Sequence, residues 1–205
     1  MNKVIALGIL ICLMLQGTIY GQDDQYQGNQ PAFYPCSEPM EIDDSIIKEK
    51  SDNLYFHFLP DRKPRSFTLK GFNWYQHVPP NYFPAFLVNT TDYPFFTEMQ
   101  DGSLMIIQEA LDEEGVWKPI EYWIFSGCGN SYNFLKLAPG KCVMVPVKKY
   151  AGEFQTKIRL KFKTPNGLIY SEPFEGSIEK SQFAKEINTV NGILYRGPAN
   201  YFDEK

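Results

Sequence analysis

The chain has 205 residues, 43% hydrophobic and 16% aromatic, with a formal charge of −4. That length suits one domain with flanking segments, and the mildly acidic balance argues against nucleic acid as a partner. Two histidines and four cysteines, none at Cys-x-x-Cys or His-x-x-x-His spacing, argue against a structural zinc; no cofactor is expected.

The chain opens MNKVIALGILICLMLQGTIYGQDDQYQ. Lys3 precedes an apolar run from Val4 to Leu15, which is too short to span a bilayer of roughly 30 Å as a helix. Small and polar residues follow, so residues 1–21 read as a secretory signal peptide cleaved near Gly21. No other apolar run is long enough for an integral membrane span. The expected location is therefore secreted, periplasmic or cell-surface. Loss of Lys3 moves the formal charge from −4 to −5.

Residues 22–53 are polar and irregular, with Pro31, Pro35 and Pro39, and read as an arm or linker that holds at most a short strand. From 54 to 180 the pattern changes to short aromatic and β-branched runs separated by Pro, Gly, Asn and Asp. Eight runs read as strands: SFTLKGFNWY, FPAFLVNTT, SLMIIQEAL, KPIEYWIFS, YNFLKL, CVMVPV, EFQTKIRLKF and LIYSEPFEGSI. Such spacing predicts an all-β antiparallel sandwich or barrel. The plainest strand is FQTKIRLKFK. Phe154, Thr156, Ile158, Leu160 and Phe162 fall on one face, and Gln155, Lys157, Arg159, Lys161 and Lys163 on the other, expected to be solvated. Pro165-Asn166-Gly167 then predicts a hairpin into LIYSEPF. QDGS, DEEG and APGK are the other turn signals. Pro146 marks an edge strand or a bulge, because proline has no N–H for the ladder. Residues 181–205 form a tail, with a last hairpin expected around Asn191-Gly192.

The stretch YAGEFQTKIRLKF resembles the start of strand F in immunoglobulin-like and fibronectin type III sandwiches. Gly152 matches the motif glycine, Phe154 falls on the corner tyrosine and Thr156 on the cysteine, while Trp123 stands where the core tryptophan would. Phe154 has no hydroxyl and Thr156 no thiol, so the resemblance implies an immunoglobulin-like β-sandwich without the corner hydrogen bond or the inter-sheet disulfide. The whole chain also resembles short exported proteins of bacteria, which implies export and no particular activity.

Chemistry-bearing constellations are few. In FSGCGNSYNF, Cys128 stands between two glycines. A catalytic thiol needs a histidine or a helix N-terminus to lower its pKa; only His57 and His77 exist, and no helix follows. The stretch reads as a turn, with Gly127 and Gly129 free to take positive φ. In a plain meander Cys128 and Cys142 lie about 20 Å apart, too far for a disulfide. Either Cys36 on the arm bridges one of them, or all three remain thiols. The acids of EALDEEG lack a calcium-loop pattern. Asn89-Thr90-Thr91 matches a glycosylation acceptor that a bacterial export route leaves bare. Trp74, Tyr75, Tyr82, Phe83, Tyr93, Phe95 and Phe96 crowd loop-like segments, and of these Trp74, Tyr75, Tyr82 and Tyr93 are the candidate ligand-facing aromatics. The expected function is a non-enzymatic binding or interaction module for a protein or glycan at the cell surface. Two alternatives stand beside it: a small exported hydrolase using Cys128 or a carboxylate pair, and a structural subunit that joins an assembly by strand pairing.

Overall fold

A computed structural model describes Phe33, Pro35, residues 39–42, 53–58, 81–121, Trp123 and 125–183, and the backbone of strands 186–190 and 193–197. The proposed signal peptide, Cys36, Trp74, Tyr75, His77 and the strand expected at 66–75 lie outside the described residues.

Alternation of apolar and polar residues, broken by turn residues, produces fourteen strands and no α-helix among the described residues. They are β1 (Met40–Glu41), β2 (Leu54–Phe58), β3 (Tyr82–Asn89), β4 (Phe95–Gln100), β5 (Ser103–Leu104), β6 (Ile106–Leu111), β7 (Trp117–Pro119), β8 (Tyr132–Leu137), β9 (Lys141–Lys148), β10 (Phe154–Thr164), β11 (Gly167–Tyr170), β12 (Phe174–Ile178), β13 (Glu186–Val190) and β14 (Ile193–Gly197). All pairings are antiparallel. The sheets run β1-β9-β3-β2, β5-β4-β8 and β11-β10-β6-β7, with β12 also on β10. β13 and β14 pair on either side of Asn191-Gly192.

The three larger sheets wall one core. The first contributes Phe56, Phe83, Ala85, Leu87, Val143, Val145 and Val147, the second Met99, Leu104, Leu135 and Leu137, and the third Ile106, Leu160 and Phe162. Phe162 receives the edges of Phe56 and Phe95 at 5.8 and 6.2 Å, the T-shaped arrangement that aromatic quadrupoles favour. The opposite face of β3 and β9 is buried as well, at Phe86, Val88, Cys142 and Met144. These two strands are therefore apolar throughout, where a half-solvated strand would alternate.

The turn signals act as their residue types dictate. Asp101 and Gly102 (φ 52° and 81°) join β4 to β5, and Gly115, Gly140 and Gly167 also take positive φ. The Pro165-Asn166 hairpin forms in register, Thr164 opposite Gly167. Pro146 faces Pro84 across β3–β9 in a pair that exchanges no backbone bonds, since the flanking Asn81–Lys149 pair does. Its nitrogen thus points to the outer side of β9, beyond the two residues that β1 covers. Gly152 is fixed by a different constraint: a Cβ there would meet the Ile178 carbonyl carbon at 2.1 Å.

Four expectations change. Phe95 and Phe96, read as part of a loop-like segment, open strand β4, because Phe95, Thr97 and Met99 alternate onto the core side. The strand expected at 118–126 ends at Pro119. LIYSEPFEGSI splits into β11 and β12, since Ser171 bonds back to the β10 backbone at Leu160. The arm is not purely a linker: Phe33 is 2% exposed in the core and bridges Leu104 at the β5 edge.

Candidate functional site

β4 and β8 present their second face outward. Phe96 pairs with Lys136, Glu98 with Phe134 and Gln100 with Tyr132. Phe96 is 50% exposed and Phe134 69%. Lys136 Nζ lies 5.6 Å from the centre of the Phe96 ring, within cation–π range. Tyr93, in the loop just before β4, is 77% exposed.

Two buried amides fix the borders of this face. Asn89, fully buried at the end of β3, donates from Nδ2 to the carbonyls of Tyr93 and Leu137, each at 2.9 Å. Its Oδ1 accepts from the Thr91 N–H and hydroxyl. One side chain thereby shapes the Tyr93 loop and ties it to the end of β8. It also leaves the Asn89 amide no access for a glycan, a stronger reason than the export route. At the other end Gln100 Oε1 accepts from Trp123 Nε1, the Ser126 N–H and the Tyr132 hydroxyl. Burial, then the nearby Glu98 carboxylate, holds the Tyr132 hydroxyl above its usual pKa.

Cys128 sits beyond Gln100 in a short 3₁₀ turn, Gly129–Ser131. The loop is closed by Ser126 Oγ, which accepts the Cys128 N–H and shares a 2.9 Å hydrogen bond with Ser131 Oγ. Ser131 N–H donates to the Cys128 carbonyl. Gly127 and Gly129 face open space, and the positive φ expected of them is not used. Hydroxyl hydrogen bonds close the turn in its place. Cys128 is an exposed thiol, and its Sγ makes no hydrogen bond among the described residues; Cys142 is a buried thiol on β9, and no bond joins the two. His57 lies on β2, opposite Phe86. Tyr82 opens β3, half-buried, opposite Lys148.

The outward face of β6 and β10 is built differently. Glu109 accepts from Arg159 Nε and Nη2 at 2.9 and 2.6 Å and pairs with Lys161 at 3.3 Å. Lys161 is 2% exposed and Arg159 and Lys163 are half-buried, so the strip expected to be solvated stays so only at Gln155 and Lys157. The Arg159 guanidinium lies between Trp117 (4.4 Å) and Tyr170 (4.1 Å). Lys163 lies over Phe125. Trp123 packs here on Met105 and Ile107, in a cluster separate from the main core.

A buried carboxyl closes the corner where β7 stops. Glu121, 1% exposed, accepts the Gln108 N–H at 2.6 Å, Gln108 Nε2 at 3.0 Å and the Tyr150 hydroxyl at 2.8 Å. The carboxylate supplies β6 with the acceptor that a continuing β7 would have offered, while the Ile120 N–H still bonds Gln108. Burial pushes Glu121 up to about 7, against the pull of its three donors. Tyr150 is driven above its usual value by burial and by that carboxyl. The adjacent cavity, lined by Phe83, Lys148, Tyr150 and Phe174, is about 40 Å³, the size of a water or a methyl group.

The acids of EALDEEG make an Asx-type turn. Asp112 accepts the Glu114 and Val116 N–H groups and pairs with Lys118, which holds its carboxyl below the usual range. No group of three or more His, Cys, Asp or Glu among the described residues is arranged to hold a metal. No described helix is long and apolar enough to cross a membrane. No family model, curated protein or solved structure matches the chain.

Of the ligand-facing aromatics expected from sequence, Tyr93 is exposed in the loop before β4 and Tyr82 is half-buried. Phe96 stands with the loop-like aromatics but not among the ligand-facing ones, and Phe134 is in neither group. The signal was present in both strands: FTEM and YNFLKL place an aromatic where the polar phase of the alternation belongs.

Proposed function

We propose that this chain is an exported, non-enzymatic binding module, and that it holds a protein or glycan of the cell surface or periplasm against the Tyr93, Phe96 and Phe134 face. The observation that carries the reading is the pair of phenylalanines exposed on one sheet face, beside Lys136 and Glu98, where a free strand would carry polar residues. Exposed aromatics contribute little to folding and much to association, because their burial waits for a partner. Export rests on the Val4–Leu15 run and the polar stretch after it. The finer architecture we read as an immunoglobulin-like sandwich. Two antiparallel features support it: the tight glycine at Gly152 and the long, alternating β10 that follows it.

The test compares the wild-type chain with Phe96→Ser/Phe134→Ser for binding to envelopes and purified surface glycans of the exporting cell. Loss of binding by the variant, with an unchanged circular dichroism spectrum, is the expected result. Equal binding by both removes this face from the function. N-terminal sequencing of the exported chain tests cleavage near Gly21.

A further inference from the structure

Among the described residues β8 lies at the end of its sheet, and no strand pairs with its outer edge. The Asp101 N–H bonds the Ser131 carbonyl, so Ser131, Asn133, Leu135 and Leu137 turn their backbone groups toward β4. Tyr132, Phe134 and Lys136 turn theirs outward. The Tyr132 N–H folds back onto Gly129; those of Phe134 and Lys136 meet no acceptor among the described residues. Two other edge segments are managed. The β5 edge is bridged by Phe33, and β9 carries Pro146 on its outer side. The β8 edge has no proline, no bulge and no inward charge; of the devices by which edge strands avoid pairing it carries only a lysine, Lys136, whose ammonium lies over the Phe96 ring of its own sheet.

The residues along this edge complement themselves. With two copies of β8 antiparallel and Leu135 opposite Leu135 of the second copy, Phe134 of each faces Lys136 of the other. Each row across the joined sheets then reads Phe96, Lys136, Phe134, Glu98, with the last two from the second copy. Lys136, already over Phe96, gains a second ring, the arrangement Arg159 has between Trp117 and Tyr170. The outward groups of Phe134 and Lys136 are the ones that would exchange backbone hydrogen bonds in this register.

We propose that two copies of this chain pair along β8, Phe134 facing Lys136, joining two three-stranded sheets into one of six. The pairing deepens the binding-module reading on which it rests: it sets two Phe96–Phe134 faces side by side as one platform and leaves them open to a ligand.

Sedimentation of the exported chain up to about 0.1 mM tests it, a range that captures even modest interfaces. A dimer is expected. Phe134→Lys puts lysines opposite each other at both ends of the pairing and should weaken association about tenfold or more. Adding Lys136→Phe restores the complement and should restore the dimer, a rescue that a merely misfolded single variant would not show. Amide exchange at Phe134 and Lys136 should slow in the wild-type dimer and quicken in Phe134→Lys. A monomeric wild type, a dimeric Phe134→Lys, or a double variant that stays monomeric overturns the proposal. Phe96→Ala separates the two readings, since it removes platform surface and spares the edge. Dimer formation with ligand lost supports both, ligand bound by monomers overturns the pairing alone, and a dimeric Phe96→Ala that still binds ligand counts against the platform alone.

Discussion

The outer faces of β4–β8 and β6–β10 are made of the same materials, phenylalanine, tyrosine or tryptophan beside lysine, arginine and glutamate, and reach opposite states. On β6–β10 the central charged groups are consumed within the chain: Glu109 takes Arg159 and Lys161, and Trp117 and Tyr170 enclose the guanidinium. On β4–β8, Phe134 and Tyr93 remain more exposed than any other large hydrophobic side chain described. The difference lies in what crosses over each sheet. Trp123 packs over the first on Met105, Ile107 and Leu168; Asn89 and Gln100 hold the segments around the second at its borders. A closed face stabilises the fold, whereas an open one is left for association.

Substitutions at matched positions test that contrast. The largest effect is expected for Glu109→Ala, which takes the buried carboxylate away from Arg159 and Lys161; breaking a buried pair from one side costs about 3–5 kcal/mol. Glu98→Ala, its counterpart on the open face, should stay within about 0.5 kcal/mol. Urea unfolding of both decides whether the two faces differ in kind. Next comes the pH dependence set at the β7 corner. The folded pKa of Glu121, about 7, lies above the 4.5 of the free side chain. The neutral carboxyl is thus favoured by folding, and stability falls as pH rises from about 4.5 to 7, by about 3 kcal/mol in total for a shift of this size. Glu121→Gln should flatten that slope; an unchanged slope between pH 4.5 and 7.5 assigns it to other groups.

Arg159→Ala should cost about 1–2 kcal/mol through its lost stacking and ion pair, against a few tenths for Lys136→Ala at the surface. Thermal melts of the two variants at one pH give the ratio. The smallest stability effect belongs to Phe134→Ser, expected within about 0.5 kcal/mol while association falls. A melt lowered as far as for a core phenylalanine would mean that Phe134 is packed in the folded chain, and the contrast would fail.

Much of the strand pattern was legible in local chemistry. β10 and its hairpin follow from strict alternation and Pro165-Asn166-Gly167, and the positive φ angles at Gly102, Gly115, Gly140 and Gly167 fall where turn signals stood. β4 was lost because its apolar phase is short and its outward phase begins with Phe96. The end of the strand expected at 118–126 was lost for another reason. EYWIF looks like a strand, but Glu121 supplies through its side chain the acceptor that β7 would have offered, and no period of two records that exchange. The functional candidates fared by the same rule. Tyr93 and Phe96 could be singled out by their loop-like setting, whereas the exposure of Phe134 depends on what does not cover it.

The sequence by itself determined the class of fold, antiparallel β, since side-chain alternation and turn propensity act over a few residues. Only the tertiary structure decided which outward faces close, how Glu109, Lys161 and Glu121 come to be buried, and which edge stays open. Those outcomes depend on contacts between residues tens of positions apart, as Arg159 to Glu109 and Asn89 to Leu137 show. Burial and partnership belong to the assembled sheets, and a residue type carries no record of them.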